Sequence, residues 1–141
     1  MNQDLIEKAQ DMAALYHEGQ TDKAGRPYYL HALRVSGAGK TTEEQVLGAI
    51  HDLLEDTQVA PAALRYCFGD DMMVALAAIT REPGESYWQY IERCGRNSLA
   101  RAVKINDLRD NLGRVDSLPD QKEAEGLASR YVRALKQLGG F

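Results

Sequence analysis

Apolar residues recur at helical spacing along most of the chain, and no segment shows a competing strand pattern. Leu5, Ile6, Ala9, Met12, Ala13 and Tyr16 form one stripe, which predicts a helix over residues 3 to 17 followed by a polar loop from Gly19 to Gly25 that can cover a site. Pro27 near a first turn predicts a short helix through Val35, with Leu30, Leu33 and Ala32 facing inward. The overlapping signals Thr41-x-x-Glu44 and Thr42-x-x-Gln45 open a further helix through Val46, Leu47, Ala49, Ile50, Leu53 and Leu54. Pro61 starts a short helix ending at Phe68-Gly69, and Asp70-Asp71 precede an apolar run from Met72 to Ile79. Ser86 is placed to cap a helix through Cys94, and Asn97 or Ser98 to cap the helix that carries Asp107. Pro119 starts a last helix with Leu127, Tyr131, Leu135 and Leu138 before Gly139-Gly140. The expected fold class is all-α, a compact helical bundle.

The third of these helices carries the densest chemistry. His51-Asp52-Leu53-Leu54-Glu55-Asp56 sets four groups able to bind metal or move protons within an otherwise apolar segment. At about 100° per residue the four fall within an arc of roughly 140°, opposite the apolar residues. Gly48 projects onto the middle of that face, where a bare backbone leaves room for an ion or ligand. A solvated acidic face explains a lone Glu-Asp pair better than it explains an adjacent His-Asp pair one turn earlier, so the segment is read as a site.

His51 and Asp52 alone under-coordinate a metal, and the chain has only three histidines. His31, on the short helix after Pro27, is the natural third ligand. Asp107 is the fourth, on a stripe where Lys104, Asp107, Asn111 and Arg114 share one face. Two imidazoles and two carboxylates suit an octahedral divalent ion such as Mn²⁺, with other divalent metals open, better than a closed thiolate-bound zinc. Cys67 and Cys94 lack Cys-x-x-Cys spacing and read as small buried hydrophobes in a reducing compartment. His17, at the end of the first helix, reads as a partner for the following loop.

Length and charge narrow the function. A chain of 141 residues suits one domain, with residues 1–141 taken together. Its formal charge of −4 gives no basic footprint for a nucleic acid polymer. No run approaches the roughly 18 apolar residues of a membrane span, and the N-terminus lacks a targeting pattern, so a cytoplasmic protein with no membrane partner is expected. Any phosphate falls to local cations: Lys23, Arg26, Lys40, Lys104, Arg109 and Arg114, of which Lys104 and Arg114 share the Asp107 face. Tyr87, Trp88 and Tyr90 read as core or interface rather than as a base-stacking site. Assembly into homo-oligomers is left open.

An isolated histidine, then a His-Asp doublet, then a later aspartate is the order that defines HD-domain metal phosphohydrolases. The chain resembles, more narrowly, the hydrolase domain of the Rel/Spo-type alarmone enzymes and the free-standing small alarmone hydrolases. Matching stretches are His17-Glu18-Gly19-Gln20, Gly25-Arg26-Pro27-Tyr28-Tyr29-Leu30-His31, His51 to Thr57, Phe68-Gly69 and Lys104 to Asn111. The resemblance implies a single helical HD-type domain in which His31, His51, Asp52 and Asp107 bind Mn²⁺. It implies that Glu55 and Asp56 orient or deprotonate the attacking water and that Asn111 contacts the nucleotide sugar; Lys23, Lys104 and Arg114, from the local cations, are the further candidate substrate contacts. The implied reaction is removal of 3′-pyrophosphate from a purine alarmone such as ppGpp, a small-molecule nucleotide. An HD-type nucleotidase acting on phosphomonoesters and a non-catalytic nucleotide-binding module are the alternatives. The family's purine-stacking arginine, nine residues before the first metal histidine, is Asp22 here. The Asp-Arg-Leu-His-Asn pattern appears as Asp107-Leu108-Arg109-Asp110-Asn111.

Overall fold

The computed structural model describes residues 2–141. Regular structure among them is helical: α1 (Asn2–Tyr16), α2 (Tyr29–Ala38), α3 (Thr42–Ile50), α4 (Leu53–Asp56), α5 (Pro61–Phe68), α6 (Asp70–Ile79), α7 (Tyr87–Gly95), α8 (Ser98–Arg114) and α9 (Gln121–Leu138), with a 3₁₀ turn at Val115–Ser117. An isolated antiparallel bridge joins Thr21 to Pro27 across the loop between α1 and α2. The protein is therefore all-α. No helix among the described residues is long and apolar enough to cross a membrane.

Helix starts follow local side-chain chemistry. Thr41 accepts from the Glu44 amide, Asn97 accepts from the Ala100 amide, and Ser86 and Gln89 form a reciprocal capping box. In α9 the cap is Asp120, which accepts from the Glu123 amide at 3.1 Å; Pro119 lies in the turn ahead of it. Gly139 ends α9 in the left-handed conformation, φ 76°.

Helix α3 sits at the centre, packed on α1, α2, α6 and α8, while α9 lies along α7 and α8. Its Val46, Leu47, Ala49 and Ile50 are buried together with Leu53, Leu64, Leu76, Ile91, Val103 and Leu108. Each fully buried Leu or Ile of this set contributes about 1.5–3 kcal/mol over an exposed one. The buried stripe of α1 is narrower than its periodicity implies: Ile6, Ala9 and Ala13 are buried, but Leu5 and Tyr16 face outward. In α2 the fully buried apolar residues are Ala32 and Val35, with Leu30 and Leu33 half-buried. Tyr90 is buried and its hydroxyl donates to the Ile79 carbonyl. Tyr87 and Trp88 lie under Arg130 and Arg133 of α9, at 4.4 and 3.8 Å from guanidinium carbon to ring centre. The aromatic group thus joins α7 to α9. Cys94 is buried as expected, whereas Cys67 is only half-buried; both are free thiols.

Two local features depart from the periodicity. The helix does not run through residue 56: α3 ends at Ile50, His51 and Asp52 form a turn, and α4 resumes at Leu53. At this break the Gly48 carbonyl, which a continuing helix would direct to a backbone amide four residues on, accepts from Nδ1 of His51 at 2.6 Å. Gly48 itself does not open room for an ion. A Cβ there would lie 2.9 Å from the Ser36 backbone N and Cα and from the Val35 carbonyl, so the glycine allows α2 and α3 to touch through their backbones.

Candidate metal centre

The turn at His51 and Asp52 aims both side chains at one point beneath α2 and α8. His31 from α2, His51 and Asp52 from the turn, and Asp107 from α8 each bring one donor atom, all within 4.8 Å of one another. Nε2 of His31 lies 2.8 Å from Oδ1 of Asp107 and 3.9 Å from Oδ2 of Asp52. Nε2 of His51 lies 3.0 Å from Oδ2 of Asp52 and 3.3 Å from Oδ1 of Asp107. His31, His51 and Asp107 are buried and Asp52 is half-buried. The four donors come from three separate stretches of chain.

Each donor is steadied by a neighbour. Nδ1 of His31 contacts Oδ2 of Asp110 at 2.6 Å, and Nδ1 of His51 is held by the Gly48 carbonyl. The Tyr28 hydroxyl donates to Oδ2 of Asp52 at 2.6 Å, and Nζ of Lys104 donates to Oδ2 of Asp107 at 2.8 Å. Outer partners of this kind fix ring orientation and leave Nε2 directed inward.

Charges are concentrated. Burial disfavours the imidazolium of His31, but Asp107 and Asp110 outweigh it and raise its pKa; for His51, Asp52 and Asp107 outweigh burial by more. Burial likewise opposes ionisation of Asp107, yet Lys104, His31 and His51 hold its carboxyl well below the usual range. Two inward Nε2 atoms facing two ionised carboxylates form an N₂O₂ donor set that fits a divalent cation. A divalent cation would take the place of any proton on those two Nε2 atoms.

Glu55 and Asp56 follow on α4 and are both exposed. Oε1 of Glu55 accepts from the Arg81 amide at 2.6 Å, which turns it toward the loop after α6. Although Asp56 is exposed overall, its carboxyl is partly desolvated; that desolvation first, then the charges of Asp52 and Glu55, push it up to about 6. Its carbonyl accepts from the Gln20 amide, and Oε1 of Gln20 accepts from Nδ1 of buried His17 at 2.8 Å, so His17 fastens the α1–α2 loop to α4.

Beside the cluster lies a cavity of about 310 Å³ whose walls include Asp22, Lys23, Tyr28, Asn111, Arg114 and Tyr131. Tyr28 and Asn111 touch cluster and cavity alike; Nδ2 of Asn111 lies 3.4 Å from Oδ1 of Asp107. Arg114 pairs with Asp22 at 2.9 Å and with Asp110 at 3.0 Å. Lys23 is exposed and pairs with Glu123 of α9. Lys104 is not brought to the cavity wall: its side chain is 12 % exposed, against Asp107 and 5.2 Å from the Tyr90 ring centre. Tyr28 and Asp110 are the supports that periodicity did not single out. Asp110 had a signal, three residues after Asp107 on the same helix.

No protein-family profile matches the chain. It is 33% identical over 161 residues to a probable guanosine-3′,5′-bis(diphosphate) 3′-pyrophosphohydrolase of Mycoplasma pneumoniae, covering 97% of this chain and 22% of that one. It is 27% identical over 139 residues to a GTP pyrophosphokinase of Myxococcus xanthus, covering 86% of this chain and 18% of that one. The chain thus spans about a fifth of the length of these curated relatives. Among solved structures, a metazoan ortholog of SpoT, described as hydrolyzing ppGpp, superposes with a TM-score of 0.75 over 97% of each chain at 18% identity, which shows the shared fold. The chain is thus similar in sequence to a segment of these relatives and shares its all-α fold with the solved structure.

Proposed function

We propose that this protein is a metal-dependent phosphohydrolase that removes pyrophosphate from the 3′ position of a purine alarmone, with ppGpp as the leading substrate and Mn²⁺ as the leading metal. The chain is read as one HD-type unit. The observation that carries this reading is the adjacency of an N₂O₂ donor set and a cavity of about 310 Å³, with Tyr28 and Asn111 common to both. Relatives named as 3′-pyrophosphohydrolases support the substrate class.

His31, His51, Asp52 and Asp107 would hold the cation, with Asp110, Gly48, Tyr28 and Lys104 fixing their orientation. When bound, a divalent ion lowers the pKa of water and neutralises charge on a phosphoryl oxygen. Asp56 takes the proton of the attacking water, since its carboxyl titrates near neutrality and holds a proton reversibly. Glu55, anchored to the Arg81 amide, raises Asp56 by its charge and fixes the end of α4. Asn111 orients the sugar, and Lys23 at the rim is available to phosphate once it leaves Glu123.

The test is release of pyrophosphate from guanosine and adenosine 3′-pyrophosphates in Mn²⁺, with products counted by phosphate content. His51→Ala and Asp52→Ala, folded by circular dichroism, should each lose at least about a thousandfold in rate, about 4 kcal/mol of barrier. Cleavage confined to phosphomonoesters would make the protein a nucleotidase. Tight nucleotide binding without product would make it a binding module.

A further inference from the structure

Arg114 is held at the cavity wall by Asp110, Asp22 and Asn111, and its Nη2 also lies 3.2 Å from Nδ1 of His31. Its Nε donates to Asp110 at 3.0 Å, its Nη1 to Asp22 at 2.9 Å and its Nη2 to Oδ1 of Asn111 at 2.7 Å. Three of five N–H groups along the guanidinium edge are thereby engaged. Two of the acceptors are carboxylates, so one positive charge already faces two negative ones, and a phosphoryl group gains little there. Asp22 is itself occupied, because its other oxygen accepts from the Ala24 and Arg26 amides, each at 2.9 Å. What this group can offer a ligand is a plane fixed in orientation. The same cavity is walled by Val115, Leu118, Leu127 and Tyr131, surfaces suited to the face of a ring rather than to a sugar or phosphate.

We propose that Arg114 is the stacking platform for the purine base of the nucleotide, its plane clamped by Asp22 and Asp110. The proposal rests on the nucleotide reading of the function and names the residue that selects the base. Asp22, standing where the resemblance implies a purine-stacking arginine, then serves the base indirectly, by orienting an arginine on α8. A guanidinium face responds to ring area and not to the hydrogen-bonding edge. This wall therefore separates purines from pyrimidines and does not separate guanine from adenine.

Arg114→Lys keeps the charge and removes the plane; Asp22→Asn keeps the plane and weakens one tether. Binding of 2-aminopurine riboside 3′,5′-bisphosphate is followed by its fluorescence, which stacking quenches. Pyrophosphate release from purine and uridine 3′-pyrophosphates is measured alongside, with Mn²⁺ affinity taken by calorimetry. In Arg114→Lys the quenching should disappear and the purine preference fall about tenfold or more, in KM rather than kcat, the size of one lost stacking contact. Asp22→Asn should lower the preference by a smaller factor, and Mn²⁺ affinity should hold in that variant. Unchanged quenching and preference in either folded variant overturns the proposal, as does a preference that falls only together with Mn²⁺ affinity in Asp22→Asn. Wild-type protein that quenches the probe but releases no pyrophosphate upholds the stacking and overturns the hydrolase reading. Equal release from purine and pyrimidine substrates does the reverse, and neither quenching nor release overturns both.

Discussion

On the metal side of the site each donor leans on a neighbour out of the solvent: Asp110 and Gly48 on the two histidines, Tyr28 on Asp52, Lys104 on Asp107. On the cavity side the charges lean on one another nearer to water, with Lys23 and Glu123 63 % and 44 % exposed and Arg114 20 % exposed beside Asp22. The first arrangement resists rearrangement, because separating buried partners leaves uncompensated charge. The exposed Lys23–Glu123 pair exchanges partners at little cost, which suits a wall proposed to admit an anionic ligand, while Arg114 stays tethered to Asp22 and Asp110.

The sharpest way to break this contrast is Asp107→Ala. It removes a donor and strands the ammonium of Lys104 within the core, so a loss of about 3–5 kcal/mol is expected by urea unfolding. A loss under about 1 kcal/mol would show that Lys104 reaches water easily and that the metal side is no more rigid than the cavity side. Next comes Gly48→Ala, whose methyl meets the α2 backbone and should destabilise by about 1–3 kcal/mol. Gly126→Ala on α9, with nothing within 4 Å of the added carbon, should stabilise by about 0.5–1 kcal/mol in the same assay.

Asp56 gives a pH signature. Its folded pKa of about 6 exceeds its ordinary 3.8, so between those values the folded chain binds the proton more tightly than the unfolded chain does. Its contribution to stability accordingly declines as pH rises through that window, and Asp56→Asn should flatten this part of the slope in chelator-treated protein. Hydrolysis should rise through about pH 6 as the carboxyl ionises. The smallest effect is expected for Lys23→Ala: less than about 1 kcal/mol in stability, because its ion pair is exposed, with any larger consequence confined to substrate KM.

Much of this design is legible in the sequence. Capping residues such as Ser86 and Asn97 announce helix starts because their hydrogen bonds are local. The convergence of His31, His51, Asp52 and Asp107 was readable from the scarcity of histidine and from the motif's order, and an all-α fold from the recurrence of helical stripes. Pairings between helices were not. Periodicity gives Lys104 a face but not its partner, Asp107. It counted Gly48 as vacant space because it cannot see Ser36, twelve residues earlier, on the opposing helix. It also carried α3 through the turn where a side chain of the site takes a backbone carbonyl.

Gly48 serves both as the seam where two helices meet and, through its carbonyl, as the rest for an imidazole. Thermostabilisation campaigns routinely trade helical glycines for alanine, and here such a trade would wedge the seam and disturb the chemistry in one stroke. A variant library built on this scaffold should leave position 48 fixed and spend its diversity on the outer face of α9.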